Sequence, residues 1–216
     1  MNKIKFLIPA IALMLVIGCQ AETKQEKYET INSADALATQ KLDTATFAGG
    51  CFWCIEGSFE QIKGVASAVS GYAGGTKENA TYKLTGTGRT KHAETVQIYF
   101  DPSVIDFNTL LDIFFVAHDA RQLNRQGPDV GPQYRSAIFY HNEEQKQLIE
   151  AKIKQIEPDY GGKIVTEITP YTEFYMAEAY HQDYEKNNPY NPYVMSVSQP
   201  KIKKVRETFP DLIKKE

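Results

Sequence analysis

Two of the chain's three cysteines, Cys51 and Cys54, lie three positions apart and directly follow Gly49 and Gly50. Cys-X-X-Cys spacing and a position at a helix N-terminus both lower the pKa of a thiol below its ordinary value of about 8.5. On a helix, this spacing puts both sulfurs on one face, near enough for a disulfide after modest local adjustment. The pattern predicts an attacking thiol, Cys51, and a resolving thiol, Cys54.

Two other interpretations of the cysteine pair remain open. Buried cysteines are often inert, small apolar side chains, and Cys-X-X-Cys forms half of many zinc sites. Zinc would need two further ligands, and no tight ligand spacing is present among the four histidines, His92, His118, His141 and His181. We expect no metal.

Glu94 lies in the stretch AETVQIYF (93–100), whose alternation predicts a strand. The alternation places Glu94 on the same face as Val96, Ile98 and Phe100. Burial on an apolar face raises the pKa of a carboxyl, so that it can be protonated near neutral pH and act as a general acid. The alternative is that Glu94, at the start of the strand, lies at the rim and contacts solvent.

Two of the thirteen tyrosines could also take part in chemistry. Tyr82 lies in a Gly-rich loop, and Tyr134 begins a strand after the turn-rich segment that contains DVGPQ. Phenol hydroxyls can donate hydrogen bonds to a polarised oxygen. A packed lid is the structural alternative for both residues.

Short alternating strands and helices must position these residues. Apolar periodicity and capping residues predict strands at 44–48, 65–72, 93–100, 134–141 and 163–170. They also predict helices at 51–63, after a cap at Asp106, from Asn142 to about Ile156, at 177–187 and at 200–209. This interleaving indicates an α+β chain that folds as a single-domain, two-layer α/β sandwich.

The composition fits one globular domain with additional chain. The sequence has 216 residues, is 42% hydrophobic and carries a net charge of −3. This small, evenly spread charge gives no reason to expect a nucleic-acid partner. We expect a monomer.

The N-terminus has the features of an export signal. Lys3 and Lys5 precede an apolar run from Phe6 to Gly18, and the run ends at Cys19. VIGC resembles a bacterial lipobox, which predicts a signal peptide at 1–18, lipidation of Cys19, a polar lipid-anchored tether at 19–42 and a catalytic domain at 43–210. These features predict a location in the bacterial cell envelope, bound to the membrane through the lipid. An ordinary signal peptide cleaved later is the alternative.

Five segments in order resemble the peptide methionine sulfoxide reductase A family. They are GCFWCIE, SGYAGG, HAETVQIYFDP, NRQGPDVGPQYRSAIFY and YHQDY, within about Thr46 to Lys201. The resemblance implies a sandwich related to the ferredoxin-like fold. It also implies reduction of methionine-S-sulfoxide, protein-bound or free, to methionine.

The resemblance also implies a role for individual residues. Cys51 would attack the sulfoxide sulfur while Glu94 protonates the departing oxygen. The remaining site residues would be Tyr82 and Tyr134 as hydrogen-bond donors to that oxygen, Phe52 and Trp53 as the wall for the methyl group, and Asp129 as a further pocket residue.

The chain departs from the commoner family pattern at two positions. Val194, in NPYVM, occupies the position of a C-terminal cysteine, and Cys54 replaces a common glycine. Recycling would therefore run through a Cys51–Cys54 disulfide and a thioredoxin-like dithiol, or directly through an external thiol. Two other functions are alternatives: a thiol–disulfide oxidoreductase that uses Cys-Phe-Trp-Cys, and a binding lipoprotein with idle cysteines.

Overall fold

The computed structural model describes residues 41–215. The predicted signal peptide (1–18), the lipidated Cys19 and nearly all of the tether lie outside the described residues. Within residues 41–215, no helix is both long enough and apolar enough to cross a membrane.

A six-stranded mixed sheet forms the centre of the fold. Its strand order is β7-β6-β1-β3-β2-β8, and all neighbours are antiparallel except β6 and β7. The strands of this sheet are β1 (Asp43–Gly49), β2 (Val65–Ala73), β3 (Ala93–Phe100), β6 (Ser136–Tyr140), β7 (Glu167–Pro170) and β8 (Phe174–Met176). Two further strands, β4 (Arg125–Gln126) and β5 (Asp129–Val130), form a separate hairpin.

Helices pack against this sheet and complete a mixed α+β single domain. They are α1 (Phe52–Glu60), α2 (Tyr82–Thr85), α3 (Phe107–Ala117), α4 (Glu143–Ile156), α5 (Tyr184–Asn187) and α6 (Gln199–Thr208). A π-helical segment, Val194–Ser198, leads directly into α6. Helix α6 packs against α1 and α3, so the C-terminal part of the chain lies behind the helix that follows Cys51.

The main core lies between the sheet and helices α1, α3 and α6. Phe47 of β1 is fully buried and stacks on Phe114 of α3, with ring centroids 4.8 Å apart. Ile98 of β3 and Phe59 of α1 belong to the same buried cluster. Each such side chain contributes about 1.5–3 kcal/mol by leaving water, so this cluster fixes α1 firmly against the sheet.

Both faces of β3 are buried. All eight of its residues are inaccessible, including Thr95 and Gln97, which face away from the helices. Gln97 donates to the hydroxyl of Tyr171 in the segment between β7 and β8. The predicted strand 93–100 has the correct bounds. Its alternating side chains, however, face two different buried regions, and neither face is exposed to solvent.

The segment 177–187, predicted as a helix, is largely irregular. It contains only the 3₁₀ turn Ala179–His181 and the short helix α5. Gln182 between them is extended because its side chain accepts from Ser70 N and donates to Ser70 O on β2. Asp183 then adopts a left-handed conformation, with φ of 53°, which interrupts the helix.

Other boundaries differ by a few residues. The predicted helix 51–63 ends at Glu60, and the predicted strand 163–170 is regular only over β7. Asp106 caps α3 as expected and accepts from the N–H of Thr109 at 2.7 Å. The folded body continues past residue 210, because Ile213 forms a β-bridge with Ile62.

Candidate active site

A tight turn carries the chain from β1 into α1 and places Cys51 at the helix start. Gly50 has a φ of +96°, a conformation that favours glycine. A Cβ atom on Gly50 would lie 2.5 Å from the Cβ atom of Gln126, so the hairpin β4–β5 packs directly on the turn. Cys51 is the N-cap residue of α1, as the sequence predicted.

A cavity of about 320 Å³ opens beside this turn. It brings together Cys51 and Glu94 with the predicted tyrosines, the aromatic pair and Asp129, although these residues come from different parts of the chain. Its lining is Cys51, Phe52, Trp53, Tyr82, Glu94, Asp129, Tyr134, Asn191 and Tyr193, of which Asn191 and Tyr193 were not predicted.

Glu94 is buried on the helix-facing side of β3, with 2% of its surface exposed. Its Oε2 atom accepts a hydrogen bond from the backbone N–H of Phe52 at 3.2 Å. Burial raises the pKa of Glu94 to about 8, and the hydrogen bond from Phe52 opposes this only in part. The carboxyl is therefore mostly protonated at neutral pH, and the solvent-exposed alternative does not hold.

The state of Cys51 differs from the sequence-based expectation. Cys51 is 6% exposed, and burial raises the pKa of its thiol, with further increases from the neighbouring Cys54 and Glu94. A helix N-terminus contributes only about 0.3–1 kcal/mol at exposed sites, less than one pKa unit, so burial outweighs it. The prediction that the helix start gives Cys51 a low pKa is therefore wrong.

As pH rises, Cys54 loses its proton before Cys51 does. A side-chain hydrogen bond from Cys51 lowers the pKa of Cys54 to about 7, despite burial. Both cysteines are free thiols, and Cys54 is fully buried beneath Cys51. The two sulfurs thus form a hydrogen-bonded pair that carries one charge near neutral pH.

Trp53 is held in a fixed orientation at the edge of the cavity. Its indole stacks on Tyr184, with ring centroids 3.7 Å apart and an interplanar angle of 9°. Its Nε1–H donates to Nδ1 of His181 at 3.2 Å. Burial lowers the pKa of His181 to about 4, so the ring is neutral and can accept this bond. Phe52, fully buried beside it, completes the apolar wall.

Tyr82 and Tyr134 face the same cavity as protonated phenols. Burial raises the pKa of both tyrosines, and the charge of Glu94 adds to this increase. The backbone N–H of Tyr82 donates to Glu178 at 3.0 Å, which fixes the start of α2 beside the site. Both hydroxyls are therefore available as donors throughout the physiological pH range.

Asp129 and Tyr193 close another side of the cavity. The hydroxyl of Tyr193 donates to Oδ2 of Asp129 at 2.5 Å, and this bond links hairpin β4–β5 to the segment before α6. Tyr193 also acts to lower the pKa of the Cys51 thiol, but burial outweighs this effect. One signal for Tyr193 was present in the sequence, its place in the NPYVM stretch next to Val194.

Each of the four histidines forms a hydrogen bond with another protein group, and none belongs to a cluster within residues 41–215 that could hold a metal ion. His118, for example, contacts the carbonyl of Phe114 and the hydroxyl of Ser136, each at 2.7 Å. Within residues 41–215, the side chains close enough to share a metal ion are Glu56, Glu60 and Asp183, and this group includes neither cysteine. The zinc interpretation of the cysteine pair has no support among the described residues.

Comparison with known proteins identifies the family to which this chain is similar. The model of the family described as peptide methionine sulfoxide reductase matches residues 43–213. The MsrA protein of Pasteurella multocida is 53% identical over 170 residues, which cover 79% of this chain and 98% of the relative. That of Saccharolobus solfataricus is 50% identical over 173 residues, which cover 80% and 98%.

Solved structures show the same relationship. Mxr1 from Saccharomyces cerevisiae in reduced form aligns with a TM-score of 0.67 at 35% identity, covering 69% of this chain and 87% of that one. Fold and site together define an enzyme of the oxidoreductase class. The chain belongs to the peptide methionine sulfoxide reductase family. This membership favours neither the thiol–disulfide oxidoreductase nor the binding lipoprotein.

Proposed function

We propose that this chain reduces methionine-S-sulfoxide, protein-bound or free, to methionine. The observation that carries the proposal is the shared cavity of Cys51 and Glu94, a thiol next to a buried carboxyl that is protonated at neutral pH. A sulfoxide needs both groups, because its sulfur accepts a nucleophile only as its oxygen accepts a proton. The rigid Phe52–Trp53 wall suits the apolar methyl group of the substrate.

The first step transfers the oxygen atom to Cys51. Proton transfer from Cys51 to the Cys54 thiolate places the negative charge on the attacking sulfur. Cys51 attacks the substrate sulfur, Glu94 protonates the oxygen, and the hydroxyls of Tyr82 and Tyr134 stabilise the developing charge. The substrate S–O bond and the new bond between the two sulfurs then break as the hydroxyl passes to Cys51, so methionine leaves and Cys51 becomes a sulfenic acid; the substrate sulfur gains two electrons and Cys51 loses two.

The second step closes a disulfide. The sulfur of Cys54, deprotonated again, attacks the sulfenic sulfur of Cys51; the S–S bond forms, the S–O bond breaks, and the oxygen leaves with a proton as water. A thioredoxin-like dithiol then reduces the disulfide by exchange. The free state of both thiols and the burial of Val194, at the position of a C-terminal cysteine, support recycling through Cys54. No metal or prosthetic group is part of this proposal.

Turnover of methionine sulfoxide with dithiothreitol tests the proposal. The wild-type protein should release many equivalents of methionine, and Cys51→Ser should release none. Cys54→Ser is the matched control, because it removes the neighbouring thiol and leaves the attacking one. Sustained turnover by Cys51→Ser would refute the proposal, as would reduction of disulfides without any reduction of sulfoxide.

We also propose a ferredoxin-like arrangement for the centre of the domain. The unit β1-α1-β2-β3-α3-β6 would be ferredoxin-like, a two-layer arrangement to which the remaining elements are added. Its support is the strand order β6-β1-β3-β2 with antiparallel neighbours. Superposition on an independently determined ferredoxin-like domain is the test, and a different path of α1 or α3 across the sheet would contradict it.

We also propose that the chain is exported to the bacterial cell envelope and anchored through lipid on Cys19. The support is the sequence alone: the basic start, the apolar run to Gly18 and the cysteine that follows it. Mass spectrometry of the mature N-terminus is the test. A lipid-bearing Cys19 at the new terminus would support the anchor, and an unmodified terminus further along would indicate an ordinary signal peptide.

A further inference from the structure

The sulfur of Cys54 lies against the start of the C-terminal helix. Cys54 is fully buried, and its Sγ contacts the hydroxyl of Ser198 at 3.3 Å. Ser198 is the last residue of the π-helical segment and leads directly into α6. The surroundings of the second thiol are therefore set by a part of the chain 144 residues away in sequence.

Lys201 lies one helical turn beyond Ser198, on the helix that packs against α1 and α3. Its Nζ atom is buried and has no hydrogen-bond partner within residues 41–215. A buried cation without a partner is destabilising, so its retention calls for a nearby negative charge. No carboxylate of the described chain lies within ion-pair distance of it.

The Cys54 thiolate is the negative charge that fits. The charge of Lys201 lowers the pKa of Cys54, together with the hydroxyl of Ser198. The charge of Lys201 also acts on His118. Burial lowers the pKa of His118 to about 4, so this histidine is neutral. The histidine therefore offers no charge to compensate the ammonium.

We propose that Lys201 is a positioning residue for the second step, which holds Cys54 as the thiolate that closes the disulfide with Cys51. The inference rests on the proposed function, because it assigns a role to Lys201 only if Cys54 resolves a sulfenic acid. Lys201 acts through Cys54 and does not touch the substrate, since it is not part of the cavity lining. Ser198 supplies the second contact to the same sulfur.

Other groups act on Cys54 and must be held constant in any test. Cys51 donates to it, and Asp129 opposes its ionisation. The charge of Cys54 in turn raises the pKa of Glu94 and of Tyr193. A comparison of variants at a single pH therefore needs a change that leaves these four groups in place, and substitution of Lys201 meets this condition.

The experiment separates methionine release from disulfide closure in a single turnover of the full-length protein without reductant. Lys201→Met removes the charge at similar size, and Lys201→Arg retains it. Lys203→Met is the matched control, because Lys203 lies on the same helix with 70% of its side chain exposed. Methionine is measured by chromatography, and the disulfide is measured by mass spectrometry of the peptide that contains both cysteines.

Loss of a nearby opposite charge typically shifts a pKa by about 1–3 units. A lower thiolate fraction is partly offset by higher nucleophilicity, which leaves a net slowing of about threefold per unit. We therefore expect Lys201→Met to slow closure about 3- to 30-fold at pH 7 relative to methionine release, and to close at least as fast as wild type well above the raised pKa. Lys201→Arg and Lys203→Met should close at near wild-type rates.

Three results would overturn the inference. Closure by Lys201→Met at the wild-type rate at pH 7 would show that the charge is not needed, and equal slowing at every pH would indicate a structural role. If Lys201→Met does not fold, alkylation of Cys54 in the wild-type protein, located by fragmentation of the peptide that contains both cysteines, decides: a midpoint at or above about 8.5, that of a free thiol, overturns the inference. Absence of methionine release by wild type would instead refute the proposed function.

Discussion

The carboxyl of Glu94 accepts a hydrogen bond from the backbone N–H of Phe52, with 3.2 Å between oxygen and nitrogen. This bond fixes a buried acid one residue away from the attacking thiol, at the first turn of α1. Within residues 41–215 the hydrogen bond to this carboxyl is made at Oε2, which leaves the other carboxyl oxygen to carry the proton. The relationship joins the strand β3 to the helix α1 at the point where the proposed proton transfer takes place.

Replacing this acid should reduce the rate of the first step without removing the fold. Glu94→Gln keeps the acceptor for Phe52 and removes the proton donor, so we expect a decrease of about 10²–10⁴-fold in the rate of methionine release. Rapid-quench measurement of the first turnover checks this. Glu185→Gln, at a carboxyl outside the cavity lining, is the control and should retain the wild-type rate. A rate for Glu94→Gln within twofold of wild type would mean that the proton has another source.

The pH dependence of methionine release should have two limbs. The thiol pair must carry a negative charge, so the rate rises as pH increases through about 7, where Cys54 ionises. Glu94 must be protonated, so the rate falls as pH increases through about 8. We expect a maximum between these values, and Glu94→Gln should lose the alkaline decline. A flat profile from pH 6 to about 9 would be inconsistent with both assignments.

Removal of the second thiol should stop the cycle after one turnover. Cys54→Ser should release about one equivalent of methionine per chain and then stall with thioredoxin as reductant, because no intramolecular disulfide can form. A small-molecule thiol in excess should restore turnover by attacking the sulfenic acid directly. Undiminished turnover with thioredoxin would show that Cys54 is not required for recycling.

His181 should affect substrate binding through Trp53. His181→Phe removes the acceptor of the indole N–H, and loss of one such bond costs about 1 kcal/mol, which corresponds to about fivefold. We expect KM to rise by about this factor with a smaller change in kcat, while His181→Asn, which retains an acceptor, should lie nearer to wild type. Steady-state kinetics with a methionine sulfoxide peptide distinguish the two variants. Equal KM values for them would contradict this role.

The turn at Gly50 should tolerate no side chain. Gly50→Ala forces a φ of +96° on a residue with a Cβ atom and brings that atom to 2.5 Å from Gln126. We expect a loss of at least about 1–2 kcal/mol in the free energy of unfolding, measured by denaturant titration, together with reduced activity. Gly127→Ala is a useful control, because its φ is also positive but nothing lies within 4 Å of its Cβ position. Equal stability of the two variants would contradict the close packing at Gly50.

Local sequence patterns predicted those parts of the fold that local physics determines. The bounds of β3 follow from its alternation, and Asp106 caps α3 because its side chain bonds a backbone N–H three residues away. The irregular path near Gln182 could not be predicted in this way, since it depends on bonds to Ser70 on a distant strand. Hairpin β4–β5 has two residues per strand and carries no periodicity.

The candidate site likewise has features that local sequence predicts and features that depend on distant contacts. Glu94 could be placed on the apolar face by alternation, but its burial required the packing of α1 on β3. The expectation for Cys51 failed because a helix dipole is a local effect, whereas the burial of the thiol is a property of the whole fold. Tyr193, His181 and Lys201 were missed because their partners are distant in sequence.

Trapping of the oxidised sulfur tests the central claim most directly. The Cys54→Ser protein would be mixed with one equivalent of methionine-S-sulfoxide in the presence of dimedone, which reacts with sulfenic acids, and the tryptic peptides would be analysed by mass spectrometry. The proposed mechanism predicts one dimedone adduct on Cys51 for each methionine formed. Stoichiometric methionine with an unmodified Cys51 would show that the oxygen goes elsewhere and would contradict the mechanism.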